Sequence, residues 1–342
     1  MTRAEEHLVM FGNAELLSNN FTFFKLLEFV RSKQGFFRVK KDDFVAGNFE
    51  VQQYDAEELN LSLATFSVSE KFNSVFNKYV FQPVKDASGD EWPSKVFGHD
   101  MATNLNAIGY GRIKFSNQLQ MFDEQMSPDR QVLLYCYYIM RQHYCSSLNL
   151  FSSFKDWIRA QISSVDGRVQ MVDIGCGPAT CGIAFGEIFA ETTPNMVYTG
   201  IDISIEMKRM GGKMLDDVFN ERLHYQMLDS ISEMDMTYWE GCSELPSLII
   251  FNMSYFFSNV AAHFTERLAL QISEIMRRHP LNRYLFVVQH SECDKQLNSY
   301  KVFRQVLRPI TRVVKSEKTS FSYVLNYKER ALEFCYDIFA SI

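Results

Sequence analysis

The hydrophobic pattern of the chain changes near residue 169. Before that point apolar residues recur at helical spacing, over 15–30 and from Pro128 to about Ala160. After it, short apolar runs such as VQMVDIG alternate with amphipathic segments. The pattern predicts a mainly helical amino-terminal region, with short strands near 36–53, followed by repeated strand–helix units.

Five short strands and the helices between them are predicted from residue 169 onward. The strands carry the sequences VQMVDIG, MVYTGID, LHYQMLD, LIIFN and YLFVVQH. Helices are expected at 179–190, at 205–219, after a cap at Ser258, and at 293–307. Two longer alternating segments, TRVVKSEKTSFSYVL and RALEFCYDIF, end the chain with only a short polar gap between them, which predicts an antiparallel pair.

Alternation of strands and helices favours right-handed crossovers and a parallel sheet with helices on both faces. The predicted fold class is therefore α/β, a doubly wound, mostly parallel seven-stranded sheet with a mostly helical N-terminal region. We predict two parts: residues 1–127 form a cap region that selects the substrate, and residues 128–342 form the domain that contains the sheet. Such a sheet binds its ligand at the carboxyl ends of its strands.

Composition excludes some classes of protein. With 342 residues, 46% of them hydrophobic and 22% charged, the chain is typical of globular proteins. The net charge of −6 argues against electrostatic attraction of the whole chain to nucleic acid or to an anionic membrane. The seven cysteines form no C-x-x-C pair, and the start MTRAEEHLVM has no signal-peptide pattern. We expect reduced thiols in a cytoplasmic protein, with no metal and no membrane contact.

The stretch VDIGCGPATCG, residues 172–182, follows the first strand of this series and predicts a ligand-binding turn at Gly175 and Gly177. A phosphate loop of the Walker type is excluded, because no lysine occurs between Val169 and Lys208. A dinucleotide fingerprint matches only in part, since Thr180 stands at the position of its third glycine. Asp173 would repel a pyrophosphate, whereas it suits the ammonium group of S-adenosylmethionine.

This stretch resembles the first signature of class I S-adenosylmethionine-dependent methyltransferases, and further landmarks of that family follow over about 169–342. One departure is Ala179, which stands where the family often has a third alternating glycine. The resemblance implies that Asp202 in TGIDIS binds the ribose hydroxyls, that Ile203 lies against the adenine, and that Asp229 in QMLDS accepts from the adenine amino group. It implies S-adenosyl-L-methionine as cofactor, with Asp173, Gly175, Gly177, Asp202, Ile203 and Asp229 as the cofactor-binding residues.

Candidate catalytic residues follow the fourth and fifth strands. Asn252 and Tyr255 form N-M-S-Y, which resembles the N-P-P-Y signature of family members that methylate amide or exocyclic nitrogens, although both prolines are missing. His290 ends the fifth strand and is a candidate general base, because an ordinary histidine pKa near 6.5 suits that role. Structural roles are the alternatives: a turn residue or helix cap for each aspartate, a polar strand end before core aromatics, and a hydrogen-bonded histidine.

The functional hypothesis is methyl transfer from S-adenosylmethionine to an unidentified acceptor. The aromatic-dense stretch LLYCYYIMRQHY favours a small molecule or a protein as acceptor. RNA stays possible, because ten basic and three acidic residues lie between Arg277 and Lys318, but several of these arginines fall at helix ends that face away from the ligand edge. The alternatives are a non-catalytic binding protein with the methyltransferase fold and an NAD-dependent oxidoreductase.

Overall fold

The structure is a computed structural model that describes most of the chain after residue 67. The backbone is described over 7–10, 36–40, 52–54, 65–66, 68–115, 119–121, 124–165, 168–193, 196–220, 222–234, 247–290, 298–325 and 328–342. Side chains are described within these ranges from 68 onward, except 119–125, 192 and 320–331. The helical pattern predicted at 15–30 lies outside the described residues. The chain divides into two compact units, 1–67 with 320–332 and 68–319 with 333–342.

The first unit is described at its strands. An antiparallel three-stranded sheet consists, in spatial order, of β1 (His7–Met10), β2 (Phe36–Lys40) and β3 (Gln52–Tyr54). The two-residue strand β4 (Thr65–Phe66) pairs in parallel with residues 322–323. The short strands predicted near 36–53 are therefore confirmed.

The second unit begins with helices, as the pattern before residue 169 predicts. The first run is α1 (Glu70–Phe76), a π-helical turn (Asn77–Phe81) and α2 (Gln82–Ser88), and α3 spans Met101–Ala107. Strands β5 (Leu119–Met121) and β6 (Glu124–Met126) form an antiparallel pair. These elements lie in the same compact unit as the central sheet. The domain boundary placed after residue 127 stays a prediction.

A second helical run leads into the sheet. It consists of α4 (Pro128–Tyr135), a π-helical turn (Cys136–Met140), α5 (Arg141–Ser153) and α6 (Lys155–Ile162). Pro128 suits the first turn of a helix because the amide that it lacks would have no partner there. The helix predicted to begin at Pro128 is confirmed.

The central sheet is Rossmann-like, and after the two-residue β4 at its edge it has seven strands in the order β12-β13-β11-β10-β7-β8-β9. Five of them pair in parallel: β7 (Val169–Ile174), β8 (Met196–Ile201), β9 (His224–Leu228), β10 (Leu248–Ser254) and β11 (Arg283–His290). The closing strands are β12 (Thr311–Leu325) and β13 (Lys328–Ser341), and β13 runs antiparallel to β11. The predicted doubly wound, mostly parallel sheet is confirmed. Its strand order reverses between β7 and β10, where such sheets bind ligands.

Helices cover both faces of this sheet. The face that carries Asp173 and Asn252 packs against α5 and α7 (Thr180–Phe189), and α8 (Ile205–Phe219) lies beside α7. The opposite face packs against α9 (Ala262–Arg278) and α10 (Asn298–Leu307). Its apolar core includes Val172, Phe251, Leu268, Ile272, Phe286, Phe303 and Phe339. Burial of each such side chain contributes about 1.5–3 kcal/mol to the free energy of folding. This packing holds in place the strands whose ends carry the site.

One local prediction was wrong. Ser258 does not cap a helix, because α9 begins only at Ala262 and Ser258 lies in the 3-10 turn Phe257–Asn259. Its hydroxyl donates to the carbonyl oxygen of Tyr255 at 3.0 Å, so it satisfies a preceding acceptor rather than a following amide. The helix expected at 205–219 matches α8 at both ends. None of the helices in the described ranges is both long enough and apolar enough to span a membrane.

Candidate functional site

The turn after β7 exposes its backbone at the sheet edge. Gly175 and Gly177 have φ angles of 71° and 53°, in the left-handed region that glycine adopts without steric cost. The amides of Gly175 and Cys176 donate to the carbonyl oxygen of Ile201 at 2.8 and 3.1 Å, which fixes the turn to the end of β8. Ala179 has φ 57°, so the residue at the family's third glycine takes the conformation that glycine favours.

An aromatic side chain and a neighbouring helix both pack closely against the turn. A Cβ atom on Gly175 would lie 2.7 Å from the Phe256 ring, so the aromatic side chain rests directly on bare backbone. A Cβ atom on Gly211 would lie 3.0 Å from the carbonyl carbon of Pro178, so α8 also approaches the turn closely. The turn is held between the segment after β10 and helix α8, an arrangement suited to a ligand that contacts the main chain.

Asp173 lies beneath this turn, with 1% of its surface exposed. Its Oδ2 accepts from the Tyr198 hydroxyl at 2.9 Å and its Oδ1 accepts from Nδ2 of Asn252 at 2.6 Å. Both partners come from neighbouring strands, so Asp173 is not simply a local turn cap. Burial raises the pKa of Asp173 to about 6, and the two hydrogen bonds limit the rise.

Asp202 joins the end of β8 to the glycine turn. Its Oδ2 accepts from the amide of Gly177 at 3.0 Å and its Oδ1 from the amide of Ser204 at 2.8 Å. Ser204, not Asp202, caps α8, because its hydroxyl accepts from the amide of Met207 at 3.3 Å. Burial raises the pKa of Asp202 despite these two amide bonds. A carboxylate offers about four acceptor positions, so capacity remains beyond the two backbone donors.

The adenine-binding residues predicted from the resemblance lie next to Asp202. Ile203 is 64% exposed, an apolar side chain at the rim of the sheet. Asp229, at the end of β9, is exposed and forms an ion pair with the Lys208 ammonium. Burial raises the pKa of Asp202, and the charge of the same ammonium limits that rise, so Lys208 acts on both carboxylates.

Asn252 is fully buried on the face of the sheet that carries Asp173. Its Nδ2 donates to Asp173, whereas its Oδ1 has no hydrogen-bond partner among the described residues. An unsatisfied buried polar group costs about 1–3 kcal/mol. A buried acceptor at a strand end that tolerates this cost is suited to a ligand donor.

Tyr255 follows β10 in a strained conformation, with φ 54°. Its amide donates to the carbonyl oxygen of Gln289 at 2.8 Å, and its ring stacks on His143 with centroids 4.3 Å apart and an interplanar angle of 9°. Nδ1 of His143 lies 2.9 Å from the hydroxyl of Tyr135, with which it shares a hydrogen bond. Burial lowers the pKa of His143 to about 4, so this aromatic wall (Tyr135, His143 and Tyr255) is neutral.

His290 lies on the opposite face of the sheet. Asn252 is level with Val287 in the pairing of β10 with β11, and His290 follows three positions later, so the two side chains point to different faces. Nε2 of His290 lies 3.4 Å from Oδ2 of Asp337, which also accepts from the Tyr300 hydroxyl. The structure brings Asn252 and Tyr255 to one side of the sheet and His290 to the other. The role of His290 as a base stays a prediction.

Several residues of this site were not identified from the sequence. Tyr198 and Phe256 are aromatic residues whose partners, Asp173 and Gly175, are distant along the chain. Lys208 is one of two lysines in the helical pattern of α8, and no local signal distinguishes it from Lys213. Tyr135 and His143 belong to the aromatic-dense stretch that predicted a pocket, and that density was their only signal.

No protein-family model and no curated protein matches the chain. Solved structures do match, and methyltransferases recur among them. Precorrin-6y C5,15-methyltransferase from Geobacter metallireducens GS-15 is 11% identical with a TM-score of 0.34, over 53% of this chain and 84% of that one. Magnesium protoporphyrin IX methyltransferase from Synechocystis PCC 6803, with bound SAH, is 12% identical with a TM-score of 0.36, over 70% and 96%.

Ribosomal protein L11 methylase from Lactobacillus delbrueckii subsp. bulgaricus is 14% identical with a TM-score of 0.33, over 59% of this chain and 78% of that one. At such identities the likeness concerns the fold alone. The evidence for function lies in the chain's own residues.

Proposed function

We propose that this protein transfers a methyl group from S-adenosyl-L-methionine to an acceptor. The observation that carries the proposal is the setting of Asp202, a half-buried carboxylate fixed by the amides of Gly177 and Ser204 beside bare backbone. Its remaining acceptor capacity suits two vicinal ribose hydroxyls. The chain therefore has a site for a nucleoside at the strand ends of a doubly wound sheet.

The same site is poorly suited to a pyrophosphate. Asp173 lies beneath the glycine turn and Asp202 beside it, so two carboxylates flank the place where a dinucleotide would put its negative charge. The methionine end of the proposed cofactor carries an ammonium group, which the charge of Asp173 favours. This supports S-adenosylmethionine over a nicotinamide cofactor.

The cofactor-binding roles are assigned by position. The backbone of Gly175 and Gly177 would hold the methionine end above Asp173, and Asp202 would accept from the ribose. Ile203, exposed at the rim, offers an apolar surface to the adenine, with Asp229 beside it. The fit rests on the positive φ angles of the turn, the free acceptor capacity of Asp202 and the exposed isoleucine.

When bound, S-adenosylmethionine supplies a methyl group on a sulfonium, whose positive charge makes it a good leaving group. The task of the chain is to position the acceptor and exclude water. Oδ1 of Asn252 would accept a hydrogen from an amino group of the acceptor, and Tyr255 would border the same space. His290 is buried on the other face of the sheet, away from this space, so its role as a base stays a prediction.

We propose a small molecule or a protein, rather than RNA, as the acceptor. The aromatic wall beside the site is neutral, because His143 has its pKa lowered to about 4. Arg277 and Arg278, part of the basic stretch that favours RNA, are both ion-paired with Glu274 at 2.7 Å. These charges are partly neutralised, which reduces their attraction for phosphates.

Calorimetric titration with S-adenosylhomocysteine and with NADH tests the cofactor. We expect binding of the former only, and loss of that binding in Asp202→Ala. Asp202→Asn keeps the side-chain size and one acceptor, and should bind with intermediate affinity. Glu191→Gln, which removes an exposed carboxylate far from the turn, is the matched control for charge. Binding of NADH without S-adenosylhomocysteine would support the oxidoreductase alternative instead.

Turnover separates an enzyme from a non-catalytic binding protein with this fold. The protein is incubated with methyl-labelled S-adenosylmethionine and a cell extract, which is then separated into RNA, protein and metabolites. We expect label in the metabolite or protein fraction, and much less with Asn252→Ala. Cofactor binding without label in any fraction would contradict the enzymatic proposal, and label in RNA would contradict the proposed acceptor class.

A further inference from the structure

We propose that Lys208 and Asp229 together form hydrogen bonds with the Watson–Crick edge of adenine. In this proposal Lys208 makes the site selective for an adenosyl ligand over a 6-oxopurine analogue. The inference rests on the proposed function and adds a specificity-determining residue to it. The family resemblance provides a role for Asp229 but none for Lys208.

The pair stands at the adenosine end of the candidate site. The Lys208 ammonium donates to Oδ1 of Asp229, and its charge also limits the rise that burial causes in the pKa of Asp202. Ile203, the exposed apolar residue of this rim, lies between Asp202 and the cap of α8 along the chain. An apolar surface bordered by a donor and an acceptor is a general arrangement for holding a planar base.

Lys208 is held more firmly than an ordinary surface lysine. Only 11% of its side chain is exposed, whereas 69% of the Asp229 side chain is exposed, so the lysine stem is packed while the carboxylate faces outward. The amide of Lys208 donates to the carbonyl oxygen of Ser204 at 3.1 Å. The Ser204 hydroxyl in turn donates to the carbonyl oxygen of Phe115 at 3.1 Å, which fixes the start of α8.

The backbone of Asp229 is fixed as well. Its amide donates to Oε2 of Glu233 at 3.1 Å, within the turn that follows β9. The donor of the pair therefore comes from the first turn of a helix and the acceptor from a strand end. The fold therefore fixes the backbone positions of both residues, at the start of α8 and at the end of β9.

The chemistry of the pair matches adenine. A carboxylate only accepts hydrogen bonds and an ammonium only donates them. The Watson–Crick edge of adenine has a donor, the amino group, next to an acceptor, the ring nitrogen N1. In hypoxanthine the order is reversed, with a carbonyl at position 6 and a hydrogen on N1. With the Asp229 carboxylate at position 6 and the Lys208 ammonium at N1, the pair would bind adenine and oppose hypoxanthine.

The test compares two ligands, S-adenosylhomocysteine and S-inosylhomocysteine, by calorimetry on the full chain. Wild type should prefer the adenosyl ligand. Lys208→Met keeps the packed stem and removes the donor, and it should reduce that preference about tenfold, since a hydrogen bond to a charged group contributes roughly 1.5 kcal/mol or more. Lys208→Arg should restore most of the preference.

Lys213→Met, on the exposed side of the same helix, is the control for loss of one positive charge. It should leave the ratio of the two dissociation constants unchanged. Thermal unfolding of each variant shows whether it is folded, and the ratio cancels any general loss of binding.

Each outcome is decisive. Wild type that binds both ligands equally, or Lys208→Met with an unchanged ratio, overturns the inference while leaving the proposed function in place. Wild type that binds neither ligand contradicts both. A reduced ratio in Lys208→Met that Lys208→Arg restores supports the assignment, because a lysine that only paired with Asp229 at the surface would affect the two ligands alike.

Discussion

The Tyr198 hydroxyl donates to the buried Asp173 carboxylate at 2.9 Å, and the tyrosine ring reaches it through the space that Gly182 leaves open. Strand β8 and helix α7 thus cooperate to hold the acid beneath the glycine turn. The same acid receives the amide of Asn252 from β10. The strand that leads into the glycine turn and the candidate catalytic amide are therefore linked through one carboxylate.

Gly182→Ala should break this arrangement. Its new Cβ atom would lie 2.4 Å from Cε2 of Tyr198, so the ring must move away from Asp173. We expect a loss of about 1–3 kcal/mol in the free energy of unfolding, as for other overpacked cores, measured by urea denaturation. Gly212→Ala is the control, because its Cβ atom would approach Tyr225 no closer than 3.4 Å, which is ordinary van der Waals contact. Equal effects of the two substitutions would contradict the role of Gly182.

Asp173 should make the folded state less stable as the pH rises from about 4 to 6. An unfolded aspartate ionises near its ordinary pKa of 3.8, whereas folded Asp173 keeps its proton until about pH 6. Folding therefore takes up a proton in this window, and the stability lost across it is roughly 3 kcal/mol.

Asp173→Asn should remove that pH dependence. The new amide can accept from Tyr198 and donate to the Asn252 oxygen that has no partner among the described residues. We expect the variant to be more stable than wild type above pH 6 and to lose affinity for S-adenosylhomocysteine. Unfolding at a series of pH values measures the first effect. Parallel stability curves for the two proteins would show that Asp173 ionises normally.

His143 should have the opposite pH dependence. Burial lowers its pKa from 6.5 to about 4, so the unfolded state takes up a proton first as the pH falls. Stability should therefore decrease from about pH 6.5 to pH 4, by up to roughly 3 kcal/mol.

His143→Phe keeps a ring against Tyr255 and removes the titrating group. Its stability should fall less than that of wild type across this pH range, whereas His143→Ala should lose the stack at every pH. The difference between each variant and wild type, from chemical denaturation, separates this contribution from that of Asp173. A wild-type curve identical to that of His143→Phe would rule out the lowered pKa.

Glu187 should anchor the helices that precede the sheet. Its carboxylate accepts from the Ser69 hydroxyl at 2.7 Å and from the Tyr144 hydroxyl at 2.5 Å, and so joins α7 to α5 and to the cap of α1. Glu187→Ala leaves both hydroxyls without this acceptor and should cost about 1–3 kcal/mol in thermal or urea unfolding. Glu191→Ala, at an exposed position nearby in sequence, should have little effect; a similar loss there would contradict the anchoring role.

The strands and helices of the sheet could be predicted because their signals are local. Val169–Ile174 is a mostly apolar run that is buried throughout, and Ile205–Phe219 has helical spacing with a serine cap. The prediction failed at Ser258, whose hydroxyl can either accept from a following helix amide or donate to a preceding carbonyl oxygen. Only the path of the chain decides between them, and here it places the carbonyl of Tyr255 within reach.

The sequence by itself determined the alternation of strands and helices, and with it the sheet edge at which Asp173, Asp202 and Asp229 end three strands, because burial period and chain order are properties of neighbouring residues. The tertiary structure decided what each acid contacts: Tyr198 and Asn252 on Asp173, the Gly177 amide on Asp202, and Lys208 on Asp229. It also decided that His290 and Asn252 lie on opposite faces of the sheet. These relationships depend on strand register and helix packing between residues far apart in the chain, which no local pattern contains.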